Sequence, residues 1–538
     1  MRSDGDQAGS GDRDRDSGNT DSGNTDSSTT DSSTTDSSNR DTGVVVRRRR
    51  AADVAGRASG RGRSRRMSVK AAVAAAALIT VLPIVSACGS GHEPGVLNLY
   101  PPADGAGSIK SMGDKCSQES GGKYRIVTTA LPKAADDQRL QLARRLSGND
   151  KSLDLMGMDV VWTAEFADAG WLTPVPESIA GEVEGRTLGG PLETAKWKTK
   201  SDDAERLYAI PIWTNTQLLW YRKDVLRDTL DKGQPAKTWD GMVADATRSL
   251  AKGGPSYIMV QGKQYEGLMV WFNSVLASAG GEVVDPNDPN KVTLNDTPEH
   301  RAATVKALSV LKAVATAPGH DPSLTNGDET SSRLGMETGK AIYQVNWPFV
   351  LSSMRENAAS GSVPFLTDMQ QYAGLFADKD NTPTDEQLAP VTRAVRQKFD
   401  FAPYPGVTEG IPAKSTVGGL NIAVANTSQQ KDLAFEAAMC LTNARAQKFY
   451  SIDAGTPPVI SSLYSDPDFR AAYPMADDIK LQLEPEHAAL RPKSPDYQAI
   501  STLLQAKLSP VGSWDPETLV DQLAEQVQKA IDGEGLIP

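Results

Sequence analysis

From Val96 onward the chain alternates short apolar runs with longer amphipathic ones, and this order restricts the fold more than any other feature. Val96–Tyr100 reads as a strand, Ile109–Ser120 as a helix and Tyr124–Leu131 as a strand rich in β-branched residues. Asp136–Leu146 follows as an amphipathic helix with Leu140, Ala143 and Leu146 on one side, then Leu153–Val160 as a third strand. Such alternation predicts an α/β fold of parallel strands with helices on both faces. Farther along, Leu207–Pro211 and Thr216–Arg222 read as strands around a polar turn, Trp213-Thr214-Asn215. Strands are also expected at Ala341–Asn346, Phe399–Tyr404 and Leu420–Ala425, separated by long helical patterns. Tyr265–Ala279 is one of these helices, and a further helix begins at Trp347-Pro348, where Pro is tolerated in the first turn. Thr367–Lys398 is polar, contains Pro and has no clear period, so it is expected to be a surface insertion.

The segment before Val96 is of a different kind. Residues 1–66 contain, from Asp16, a five-residue repeat of Asp, Ser, Thr, Gly and Asn and end in an Arg-rich stretch, with no apolar face to bury, and read as a disordered arm. Residues 67–87 carry a short apolar core that ends in small residues before Cys88, the pattern of a secretory signal peptide rather than of a spanning helix. Val85-Ser86-Ala87-Cys88 resembles the lipobox of bacterial lipoproteins, which implies acylation of Cys88, a lipidated tether over 88–94 and an anchor on the outer face of the cytoplasmic membrane. Ser64–Lys70 resembles a twin-arginine export motif without its usual Phe-Leu pair; a plain Arg run before a general export signal, or a start at Met67, fits the same residues.

Charge and cysteine usage narrow the function. The net charge is −11, and residues 1–87 hold more Lys and Arg than Asp, so the exported part is more acidic still. An acidic exported chain is a poor partner for nucleic acid. Beyond Cys88 only Cys116 and Cys440 remain. An even pair in an oxidising compartment is expected to form a disulfide, two free buried thiols being the alternative.

Signatures of catalysis are missing. None of His92, His300, His320 and His487 lies at metal-ligand spacing from another His or Cys, and neither a G-x-S-x-G elbow nor a phosphate-binding loop occurs. No cofactor, no metal and no catalytic residue is expected. Carboxylates are plentiful, so a glycosidase using two distant acids stays open as a rival.

Several long blocks carry a resemblance. Leu131–Val175, Tyr208–Leu226, Tyr265–Gly281, Gly339–Val350 and the segments around GGLNIAV and LRPKSPDYQAIS closely resemble the actinobacterial trehalose-uptake lipoproteins, in order and across almost all of the exported chain. The resemblance implies a periplasmic-binding-protein-like fold of two α/β lobes joined by a hinge, with a ligand cleft between them. One lobe would be 95–210 with 416–452, the other 211–415 with 453–538. It implies a monomeric, non-enzymatic binder that hands a disaccharide, trehalose by preference, to an ABC permease; other sugars and glycerol phosphodiesters are bound on the same scaffold. Cys116 and Cys440 would then lie in helices of one lobe, where a bond would not block closure.

A disaccharide offers many hydroxyls and a few apolar CH faces, so its cleft needs carboxylates, amides and a guanidinium beside aromatic rings. Carried over by resemblance, the ligand-binding residues would be Asp104, Asp159, Asn215, Glu329, Trp347, Gly418, Gly419 and Arg491. Each has a bland reading: a turn Asp for Asp104, an N-cap for Asp159, turn structure for Asn215, a first-turn acid for Glu329, a core Trp for Trp347, a turn for the glycines and a surface Arg for Arg491. Trp162, Trp171 and Trp271 are assigned to the core.

Overall fold

The computed structural model describes residues 93–377 and 383–534. The arm 1–66, the signal segment 67–87, Cys88 and most of the tether 88–94 lie outside the described residues. Among the described residues, no helix is long and apolar enough to cross a membrane.

Two mixed sheets organise the chain. Their strands are β1 (Val96–Tyr100), β2 (Arg125–Thr128), β3 (Leu155–Asp159), β4 (Ile210–Asn215), β5 (Leu218–Arg222), β6 (Tyr257–Met259), β7 (Ala341–Asn346), β8 (Phe399–Ala402) and β9 (Gly418–Val424). The first sheet has the order β2-β1-β3-β9-β4 and the second β8-β5-β7-β6. β1 pairs in parallel with β2 and β3, as the alternation predicts. The expectation of purely parallel sheets fails elsewhere. β9 returns from a distant part of the chain and pairs antiparallel with both β3 and β4, and β5 pairs antiparallel with β7 and β8. Strand direction follows from where the connecting chain re-enters the sheet, which local patterning does not encode.

The helices used below are α1 (Ala106–Glu119), α2 (Glu266–Ser278), α3 (Glu329–Glu337), α4 (Phe349–Ala359), α5 (Lys431–Leu441), α6 (Ala444–Ala454) and α7 (Tyr497–Leu508). One apolar core lies on the first sheet and includes Leu97, Ile109, Leu155, Ile212 and Ile422. The second sheet carries a core on Leu219, Ile342 and α2, and another on Trp220, Met354 and Phe399. Trp271 and Phe272 of α2 are fully buried, and such side chains each contribute roughly 2 kcal/mol by leaving water. Trp162 and Trp271 are core residues as expected, and Trp171 is half-buried.

Cys116 on α1 and Cys440 on α5 form a disulfide, with Cα atoms 6.0 Å apart. Three local expectations are corrected. Trp213-Thr214-Asn215 is no turn: it is the last half of β4, stabilised by pairing with β9. The helix near 140 buries Gln138, Leu142 and Leu146 and leaves Leu140 41% exposed, a register that tertiary packing selects. The stretch expected as a surface insertion contains a helix, Asp385–Val395, whose Val391 and Val395 are fully buried against the core of the second sheet.

Candidate ligand-binding site

Three chain passages between the sheets bring the candidate residues together. Residues 216 and 217 link β4 directly to β5, residues 403–417 lead from β8 back to β9, and beyond α6 the Pro457 carbonyl accepts from the Thr214 amide at 2.9 Å. The register of β9 against β4 sets Gly418 opposite Asn215 and Gly419 opposite Thr214.

Trp347 comes from the other sheet, one residue beyond β7, yet its indole lies on Gly418. A Cβ at position 418 would stand 3.2 Å from the Trp347 ring and 3.5 Å from the Asn215 Cβ. Gly419 has φ near 133°, and a Cβ there would come within 2.5 Å of the Trp213 carbonyl, so backbone shape and space both require glycine. The Asn215 Oδ1 atom is buried and has no hydrogen-bond partner among the described residues. An orphaned acceptor of this kind is costly unless a ligand or water meets it.

Glu329 begins α3 behind an Asp328 capping box. Asn346, at the end of β7, donates to the Glu329 carbonyl at 3.0 Å and accepts from the Trp347 amide at 2.9 Å, so one amide fixes both candidates. Burial pushes the Glu329 carboxyl above its ordinary value, and the Tyr265 hydroxyl pulls it part of the way back. Burial and the nearby carboxylate in turn push the Tyr265 phenol well up.

Arg491 is buried, and its guanidinium bridges two parts of the fold. One Nη donates to Asp159 at the end of β3 at 2.8 Å, the other to Glu266 at the start of α2 at 2.7 Å. Tyr497 and Ser501 of α7 also donate to Glu266. Asp159 is at the same time the cap that sequence reading offered as its bland role: it accepts from the Val161 amide at 3.2 Å. Both roles are real, because one carboxylate oxygen has room for two donors.

The structure therefore gathers Asn215, Trp347, Gly418 and Gly419 into one contact cluster, ties Glu329 to Trp347, and links Asp159 to Arg491. Asp104 joins none of these contacts. It is exposed in the turn before α1, where its neighbour Gly105 lies against the Trp213 ring. Glu266 escaped sequence reading. An acid at the first helical position is already explained by the helix dipole, so nothing in the local pattern marks it as the partner of an arginine 225 residues away. Among the described residues no cluster of His, Cys, Asp and Glu could hold a metal.

The comparisons agree with this architecture. Residues 124–448 match the family described as bacterial extracellular solute-binding protein. A "Probable ABC transporter-binding protein" of Deinococcus radiodurans is 25% identical over 73% of this chain and 83% of its own length. Among solved structures, maltose-bound MalE3 of T. maritima superposes with a TM-score of 0.63 at 22% identity, over 80% of this chain and 99% of that one. The GacH receptor of Streptomyces glaucescens, solved unliganded and with acarbose, gives 0.63 at 18% identity over 82% and 100%. The glycosidase rival is thereby set aside, since the matched family binds solutes without turning them over. With well over half of its length matched and the two-sheet fold in place, the chain belongs to the bacterial extracellular solute-binding proteins, the non-enzymatic binding components of ABC transporters.

Proposed function

We propose that this protein captures a neutral disaccharide, trehalose by preference, between its two sheets and delivers it to an ABC permease, held at the membrane surface by lipid on Cys88. The observation that carries the reading is the meeting of an indole, an orphaned amide oxygen and two glycines from different sheets, beside the Asp159–Arg491 pair. An indole suits a sugar CH face, and the polar groups suit adjacent hydroxyls. Asp104, exposed at the start of α1, would join only as the cleft closes. Ligand bridging the two halves favours the closed form, since only there do all hydroxyls find partners. Glycerol phosphodiesters fit less well: Arg491 is already spanned by Asp159 and Glu266, which leaves no unspent positive charge at that point for a phosphate.

Calorimetric titration with trehalose, maltose, cellobiose and a glycerol phosphodiester tests this. Trehalose is expected to bind tightly and to be recovered intact; binding of another solute alone would remove trehalose from the reading. Trp347→Ala and Asp159→Ala are each expected to weaken sugar binding at least about tenfold, the scale of a lost stacking surface or charge-assisted hydrogen bond; Trp347→Ala should leave melting unchanged, whereas Asp159→Ala should also lower it, because Asp159 pairs with the buried Arg491 and caps the Val161 amide. Wild-type affinity in either variant would take that residue out of the site.

The raised Glu329 carboxyl adds a pH signature. An ionised carboxylate accepts from sugar hydroxyls at both oxygens, so affinity is expected to fall as pH is lowered through the raised value, beginning above the ordinary 4.5. Stability of the free protein should move the other way. A carboxyl raised by folding stabilises fully below its unfolded value and loses that contribution as pH rises through the folded one. Titrations and melts from about pH 4 to about pH 7 would show the opposed trends, and Glu329→Gln should flatten both.

A further inference from the structure

Residues 490–498 pass from the part of the molecule built on the second sheet to the part built on the first. They are rooted in the second. Just ahead of them Ala488–Ala489 pairs in parallel with Ser415–Thr416, and Asn273 of α2 donates to the Leu490 carbonyl at 3.3 Å. At their far end Tyr497 opens α7 inside the core that holds Leu219 and α2. On the first sheet's side the attachment is of another kind. Among the described residues, every hydrogen bond and ion pair from this segment to that side ends on a carboxylate. Arg491 reaches Asp159, Lys493 pairs with Glu205 and, at 3.7 Å, with Glu193, and Gln498 donates to Asp136 at 3.0 Å. Glu193 and Glu205 each lie two residues before a member of the first sheet's core, Ala195 and Leu207; Asp136 is on the helix Ala135–Ser147, whose Leu142 belongs to the same core.

Charge rather than apolar packing fastens this edge. The Lys493 and Glu205 side chains are 25% and 41% exposed, and Leu490 stays 38% exposed instead of packing down. A cavity of about 30 Å³ is left between Leu490, Arg491 and Lys493 on one side and Val161 and Thr194 on the other. Half-exposed ion pairs are weak singly, gain from sharing a network and are screened by salt, so such a contact can open and remake. Pro492 stands between Lys493 and Arg491. Its ring fixes one backbone angle and restricts the residue before it, so where Lys493 is held bears directly on where the Arg491 guanidinium points.

We propose that residues 490–498 act as an ionic strap, and that Lys493 is a positioning residue, outside the candidate site, which holds Arg491 against Asp159 and so sets how long the cleft stays shut on its ligand. This rests on the saccharide reading above, in which the two halves close on a neutral sugar. An interaction made in the shut form and broken on opening slows release more than it alters encounter. A neutral sugar carries no charge for salt to screen, so a salt effect on its release reports the strap.

The test follows trehalose binding and release by tryptophan fluorescence on the whole exported chain, in about 20 mM and about 500 mM NaCl. Release by the wild type is expected to be about fivefold faster at high salt, with association changed by less than about twofold. Lys493→Ala should release about fivefold faster already at low salt and lose most of the salt dependence, while Lys493→Arg should behave as the wild type. Lys493→Glu should be worse than Lys493→Ala, and Glu205→Lys placed on it should recover much of the loss, which a role in packing alone would not give. Equal release by the wild type and Lys493→Ala, with the same salt dependence, would overturn the strap and leave the disaccharide reading standing. If trehalose does not bind, that reading falls, and amide exchange decides the strap: exchange over 490–498 should quicken about threefold in Lys493→Ala at low salt, and unchanged exchange would overturn it.

Discussion

Replacing Arg491 with Ala is expected to destabilise the protein by about 3–5 kcal/mol, because it strands buried charge rather than merely deleting a contact. Arg491 is almost wholly buried, and its two ends hold Asp159 and Glu266. Without it, Glu266 keeps only the neutral donors Tyr497 and Ser501. Burial already pushes the Glu266 carboxyl above its ordinary value, against the pull of Arg491. Removing that pull raises it further, so the stability deficit should grow as pH rises through the new value and shrink below it, where the carboxyl is neutral in both states. Calorimetric melts at several pH values measure this. Glu266→Gln placed on the Arg491→Ala background should recover much of the loss, the mark of an uncompensated charge rather than of lost packing. Arg491→Lys should not substitute, since a single ammonium cannot fork onto two carboxylates. A deficit independent of pH and not relieved by Glu266→Gln would show that the arginine acts through packing alone.

The Cys116–Cys440 bond is the second large contribution. It joins residues 324 apart in sequence, α1 after the first strand to α5 beyond the second sheet's strands. The chain-entropy account puts a loop of this length at about 5–6 kcal/mol, above the usual range. The double substitution Cys116→Ala with Cys440→Ala is expected to lose stability of that order in oxidising buffer, and reduction of the wild type should match it. Sugar affinity should be unaffected. Cys116 lies ten residues along α1 from its first residue, about 15 Å from the end that meets the Trp213 ring region, and both helices belong to one side of the ligand passage. A large loss of affinity on reduction would mean that the bond also sets the geometry of the site.

The sequence alone determined a good deal. The alternation of apolar periods located β1, β3, β7, β9 and the long helices to within a few residues, because each element's period is a local property. Cysteine arithmetic singled out the pair that the structure joins, since only two candidates remain after Cys88. Trp271, at helical spacing from Leu268 and Val275, and Trp162, beside a helical segment, were assigned to the core and are buried, while Trp171, assigned with them, is half-buried. Other features were decided only by the folded chain. Trp213–Asn215 is polar enough to read as a turn and becomes strand because β9, some 200 residues later, supplies its hydrogen bonds. Val391 and Val395 sit in a segment too polar to show a period, yet these two residues on one helix face suffice once the second sheet's core covers them. Glu266 looked like an ordinary first-turn acid, and its pairing with Arg491 exists only because α2, α7 and β3 converge. Local patterning sets what each segment can become; the pairing of segments far apart in sequence is chosen by burial, charge compensation and hydrogen-bond satisfaction summed over the whole chain, and those sums exist only in three dimensions.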